Sequence, residues 1–320
     1  MQDTPPSAAS WNGAPPQLPR AGLMARLIAE LQVSMITAGA RALDGDLDRA
    51  IVFMVVARIS DMPSPGHALA ERRASQAISI NALAASLARP FETMRRHIHA
   101  LCDRGLCTRG PAGVTVPEAV QARPEIAALF RSSHDALVRL AEDLAAFGFA
   151  LPETRAHRPY DWRSGLAAAH DILLTGVEFS AHRYQSWTDM VMANAILCAN
   201  CRPIMEDRAT SIAYAEFSPV PPEALRRPVS TGAIARALGL PPSTAHRRVA
   251  AMVESGFLVR RKRGVMLADS AITDAQRLAD ARTALLHTRQ ILIRLAAGGF
   301  RFANPAACYL DGRPELVPFG

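Results

Sequence analysis

One stretch of this chain is written twice. Residues 79–109 lie on residues 230–260 at an offset of 151 without a gap. Ten of the 31 aligned positions are identical: Ser79, Ala82, Ala84, Leu87, Pro90, Thr93, Arg96, Ala100, Gly105 and Arg109. The same offset brings Leu144, Ala145, Ala146, Gly148 and Phe149 onto Leu295, Ala296, Ala297, Gly299 and Phe300. A repeat of this length constrains the fold more than composition does, because one structural unit has to satisfy both copies. With 320 residues, about half of them apolar, the chain is long enough to bury two cores.

The second copy, VSTGAIARALGLPPSTAHRRVAAMVESGFLVRRKRGVM, spans residues 229–266. Ser230 is placed to cap a short helix, Gly239 to turn the chain, and Pro241, Pro242 and Ser243 to start a second helix, since proline fits only a helix's first turn. Ala245, Val249, Met252 and Val253 then share one face, leaving Ser243, Thr244, His246 and Arg247 on the other. Gly256 ends this helix. Residues 257–260 and 265–267 read as two short strands around Arg261, Lys262, Arg263 and Gly264, a basic wing. In the first copy Met94, Ile98, Leu101 and Cys102 fall on the core positions.

Over LARPFETMRRHIHALCDRGLCTR and ARALGLPPSTAHRRVAAMVESGFLVRR the chain resembles the winged helix-turn-helix domains of MarR-like and IclR-like bacterial transcription regulators. The resemblance implies double-stranded DNA as partner, with each second helix in a major groove. Those families reach a two-fold site by pairing two chains, whereas here both copies are fused. The expected base-reading residues are Glu92, Thr93, Arg95 and Arg96 in one copy and Ser243, Thr244, His246 and Arg247 in the other. Arg109 in the first wing and Arg260, Arg261, Lys262 and Arg263 in the second are expected on phosphate or in the minor groove.

Charge supports that partner. The net charge is +7, and it is concentrated. Residues 226–263 hold nine basic side chains against one acid, a net of +8, and residues 78–109 hold five arginines against two acids, a net of +3. Lys262 is the only lysine, so the preference for arginine also reflects composition.

Around these stretches the chain reads as mainly α. Residues 1–20, rich in Pro, Ser, Ala and Gln, are expected to be a disordered arm, with no secretory signal. Residues 23–43 and 47–60 are expected as two helices, the second apolar all round and therefore buried. Residues 62–75 form a Pro/Gly/charge loop. Residues 124–147 and 273–297 carry long apolar stripes, and pairing these two helices with each other would bury both. Residues 151–163 are expected as a linker, and residues 166–184 and 187–201 repeat the two leading helices at an offset near 141. About ten extra residues then fall within 202–227, a place for specialised contacts. The domain reading is an arm (1–20), a first winged-helix unit (21–150), a linker (151–163), a second unit (164–300) and a tail (301–320) that the sequence does not explain.

Other constellations support weaker readings. Cys198 and Cys201 form a CxxC with no second pair, and packing explains them better than redox or metal chemistry. Glu178 and His182 are one helical turn apart and read as a solvated pair. Tyr160, Trp162, Phe179, Tyr184 and Trp187, interleaved with His170 and His182, mark a site for a small-molecule effector or simply core. No nucleophile elbow, phosphate-binding glycine loop or carboxylate pair is present, and no cofactor is called for. The longest apolar run, residues 50–57, is too short to span a bilayer, so a soluble cytoplasmic protein is expected. The reading is a non-enzymatic transcription regulator that works as a single-chain pseudo-dimer with pseudo-two-fold architecture on an imperfect palindrome, and as a monomer. A plasmid-type replication initiator and a thiol- or metal-responsive sensor are the alternatives.

Overall fold

Two helices lead the chain in the computed structural model, which describes residues 19–61, 77–154, 159–184 and 186–319. They are α1 (Ala21–Ala42) and α2 (Leu47–Asp61). Then follow α3 (Ile80–Ser86), α4 (Phe91–Asp103), the hairpin β1 (Thr108–Gly110) and β2 (Gly113–Thr115), α5 (Glu118–Gln121) and α6 (Pro124–Ala146). The order starts again with α7 (Trp162–Ser180) and α8 (Trp187–Glu206). An additional α9 (Arg208–Ala213) and a 3-10 turn (Glu223–Leu225) precede α10 (Thr231–Leu238), α11 (Pro242–Glu254), β3 (Leu258–Arg261), β4 (Gly264–Leu267), α12 (Asp269–Ile272) and α13 (Ala275–Ala297). The protein is mainly α, with a small hairpin after its helix-turn-helix region.

The core is helical and continuous across the chain. Ala50, Ile51, Val52, Phe53, Met54, Val55 and Val56 on α2 are all buried, as an all-round apolar helix requires. Each large side chain among them contributes about 1.5–3 kcal/mol of transfer free energy. Helix α1 packs along α6 and also against α8, while α7 packs along α13 and α6. By length and composition α1 could cross a membrane, but its apolar surface is covered by these neighbours.

Several expectations need correction. The stripes of α6 and α13 do not bury each other: α6 lies on α1 and α7, and α13 lies mainly on α7. An apolar stripe dictates that a face be covered but does not name the cover. Trp162 and Arg163 belong to α7 rather than to the linker, because Asp161 caps that helix by accepting from the Arg163 amide at 3.0 Å. Arg20 is not part of a loose arm, since its guanidinium donates to the Phe147 carbonyl at 2.5 Å. Residues 1–18 of the expected arm, the loop expected at 62–75 and residues 155–158 of the linker lie outside the described residues.

The tail is a strap. Asp135, buried on α6, accepts from the amides of Leu310 at 3.0 Å and Asp311 at 2.9 Å. Burial raises its pKa, but hydrogen bonds from His134 and these amides outweigh that and hold the carboxyl below its ordinary value. His134 bridges Asp135 and the Tyr160 hydroxyl, each at 2.9 Å, with its Nδ1–H donating to the carboxylate. Tyr309 donates to Glu142 at 2.7 Å, and Arg313 pairs with Glu142 and Asp143.

Candidate nucleic-acid interface

The helix-turn-helix of residues 230–254 is assembled by short-range rules. Ser230 Oγ accepts from the Ala233 amide at 3.1 Å, which starts α10. Gly239 closes it at φ +65°, and α11 begins at Pro242. Ala245, Val249 and Met252 face inward, Ser243, His246 and Arg247 are exposed, and Thr244 is half-buried. The wing is tied back to the helix pair by a bridge between Val229 and Val265 (3.1 and 2.9 Å). A Cβ on Gly264 would sit 2.1 Å from the Val229 carbonyl, so only glycine allows this approach. Helix α8 supports the assembly. Asn200 donates to the Arg227 carbonyl at 2.8 Å and accepts from the Leu267 amide at 3.0 Å, and Asp189 holds Arg248 at 2.7 Å.

Residues 78–115 take the same course. Ser79 Oγ accepts from the Ala82 amide at 3.1 Å, and Ile78 bridges Val114 at 3.1 and 2.9 Å. A Cβ on Gly113 would meet the Ile78 carbonyl at 2.5 Å. Each of these residues lies 151 positions before its counterpart in the second region. On α4, Met94, Ile98 and Leu101 are buried, Glu92 and Arg96 are exposed, and Thr93 and Arg95 are half-buried.

The side chains on these frames are not equally available. Arg95 and Glu92, both expected to read bases, form a bidentate pair at 2.6 and 2.7 Å, and each stabilises the other's charged form. Arg104 pairs with Asp44, and Arg89 stacks over Trp187 while donating to the Tyr184 carbonyl. Among the described residues this leaves Arg96 and Arg109 as unpaired cations of the first region. In the second, Arg226 is buried against Asp269, Arg248 is held by Asp189, and Arg261 is clamped by Glu223. Arg227, Arg236, Arg247, Arg260, Lys262 and Arg263 remain exposed and, among the described residues, unpaired.

Three features escaped the sequence reading. Phe91, on the first turn of α4, is 45% exposed and suits contact with a thymine methyl group. Arg227 and Arg236, counted only as charge, are both exposed, the first ahead of α10 and the second within it. Glu223 could not be read as the clamp on Arg261, because the two residues are 38 positions apart.

The other candidates sort by burial. Cys198 and Cys201 are buried, and burial pushes both thiols above their ordinary pKa, which disfavours the reactive thiolate. His182 pairs with Asp280 at 3.2 Å, on α13. Of the aromatic group, Phe179 and Tyr184 line a cavity. Trp187 is buried under Arg89, and Tyr160 packs on Phe300.

Comparison with protein families matches residues 223–262 to the IclR helix-turn-helix domain. The match starts at Glu223, runs through α10 and α11, and ends in the second wing. Neither a curated protein nor a solved structure matches the chain. A helix-turn-helix of this kind suggests a non-enzymatic, DNA-binding transcription regulator.

Proposed function

We propose that the chain is a sequence-specific regulator of transcription that presents two winged-helix reading heads, the second built on α10, α11 and the β3–β4 wing and the first on α3, α4 and the β1–β2 wing. The family match carries the second head. The first is supported by the offset of 151, at which cap, bridge and wing glycine all recur. Arg247 and Arg96 read guanine edges, with Ser243, Thr244, His246, Thr93 and Phe91 beside them. Arg109, Arg260, Lys262 and Arg263 neutralise phosphates, and Arg261 joins them when its contact with Glu223 opens. Because Glu92 faces Ser243 in the alignment and Arg95 faces His246, the preferred site has unlike halves. The covered stripes of α6 and α13 favour a monomer that presents its two heads as a dimer would.

Fluorescence anisotropy with duplexes drawn from a genome-wide map of bound DNA tests this. Binding to promoter sites should weaken steeply as salt rises, with a footprint of about two DNA turns and one chain per duplex by light scattering. An affinity indifferent to salt would overturn DNA binding. A stable two-chain species with a longer footprint would overturn the pseudo-dimer, and occupancy confined to a repeated origin would reassign the protein to replication.

A further inference from the structure

Between α1, α7, α8 and α13 lies a half-open cavity of about 250 Å³, with Phe257, just before β3, and Leu267, at the end of β4, in its lining. Its wall is predominantly apolar, with Ile28, Phe179, Leu197, Phe217, Leu278 and Leu285 among the lining side chains. Set into this wall is Arg26, 7% exposed. One of its terminal nitrogens donates to the Tyr214 carbonyl at 2.7 Å. Its Nε is buried without a partner, and no carboxylate pairs with it among the described residues. Burial accordingly pulls its pKa below the ordinary arginine value. Four arginines line the cavity, Arg26, Arg183, Arg226 and Arg277, against two acids. Asp280 is already taken by Arg183 and His182, and the exposed Glu216 accepts from the Arg20 amide. Arg277 lies over the Phe257 ring at 4.3 Å, with its own Nε buried and unpartnered.

A buried guanidinium lacking a counter-charge is costly, and a carboxylate offers it the planar, bidentate complement it lacks. We infer that this cavity binds a small organic acid, its carboxylate on Arg26 and its apolar body among the α1, α7, α8 and α13 side chains. The apolar wall disfavours sugars, since their hydroxyls would be buried without partners. This inference does not rest on DNA binding, and its test uses the free protein.

The probes are octanoate, octanamide and octan-1-ol, titrated calorimetrically into the full chain, with thermal unfolding as a second readout. Octanoate should bind one to one, at least tenfold tighter than either neutral analogue, and raise the unfolding temperature. Arg26→Gln should erase the preference for the acid, and Ala281→Phe, which fills the cavity from α13, should abolish binding of all three. Wild-type protein that ignores octanoate at millimolar concentration, that prefers the alcohol, or that keeps its preference in Arg26→Gln would overturn the assignment. If Arg26→Gln fails to fold, Ala281→Phe alone decides: octanoate binding at wild-type affinity in that variant overturns the site.

Discussion

Between its two helices the proposed first head turns through Ala88 at φ +48°, whereas the second turns through Gly239 at φ +65°. The first therefore keeps a side chain in the left-handed region, where L-residues are disfavoured by roughly 1–2 kcal/mol. A parallel difference runs through the charges. The first head spends Arg89, Arg95 and Arg104 on contacts within the protein, and the second keeps six cations free. Under the proposed function the same backbone plan would serve two tasks, one head gripping DNA and the other contributing register and a few base contacts.

Five measurements would break or sharpen this contrast. The largest effect is expected from neutralising Arg260, Lys262 and Arg263 together to Gln, which should lower the slope of log affinity against log salt by about three, while Arg109→Gln should lower it by about one. Equal changes would erase the distinction between the wings. Replacing Arg247 or Arg96 by Ala should cost about 1–3 kcal/mol on the preferred duplex and relax preference at one base step, with Arg247 at the upper end. Equal losses on scrambled duplex would remove both from base reading.

Acid stability separates the halves as well. His170 on α7 is fully buried, and burial lowers its pKa to about 3, while the residue 141 positions earlier is Ala29. Between the ordinary value of 6.5 and about 3 the unfolded chain takes a proton that the native state refuses. The stability contributed by neutral His170 is therefore complete above 6.5 and lost as pH falls, at up to about 1.4 kcal/mol per pH unit. Urea unfolding across pH 7 to 4 should show a shallower decline for His170→Leu than for wild type. Gly239→Ala should destabilise by about 1 kcal/mol, whereas Ala88→Gly should be neutral or stabilising, as read by denaturant midpoint. Smallest of all, Glu92→Gln should release Arg95 and tighten DNA binding slightly, and Arg95→Ala should matter less than Arg96→Ala; the reverse order would show that the pair opens on DNA.

The local frame was legible in the sequence. Ser230 caps as expected and Ser79 caps in the same way, and Met94, Ile98, Ala245 and Val249 are buried as helical spacing requires, because these depend on neighbours a few residues away. Partnerships across the chain were not. Nothing in the stripe of α13 says that α7 will cover it, and nothing near Arg261 points to Glu223. The tail lacked any periodicity because backbone amides, not a repeating apolar face, fasten it to Asp135. The aromatic group misled in part, since only Phe179 and Tyr184 reach the cavity, and its key residue, Arg26, sits on a helix whose pattern reads simply as core.

Helix α1 lies against both α6 and α8, so it completes its surroundings only after residues 187–206 have emerged. During synthesis Glu30 and Gln32 must wait for their partners Arg202 and Asn194, on the order of ten to thirty seconds at ordinary elongation rates. A nascent first half is therefore a client for chaperones rather than a finished domain, and a premature stop between the two halves leaves a fragment prone to aggregation.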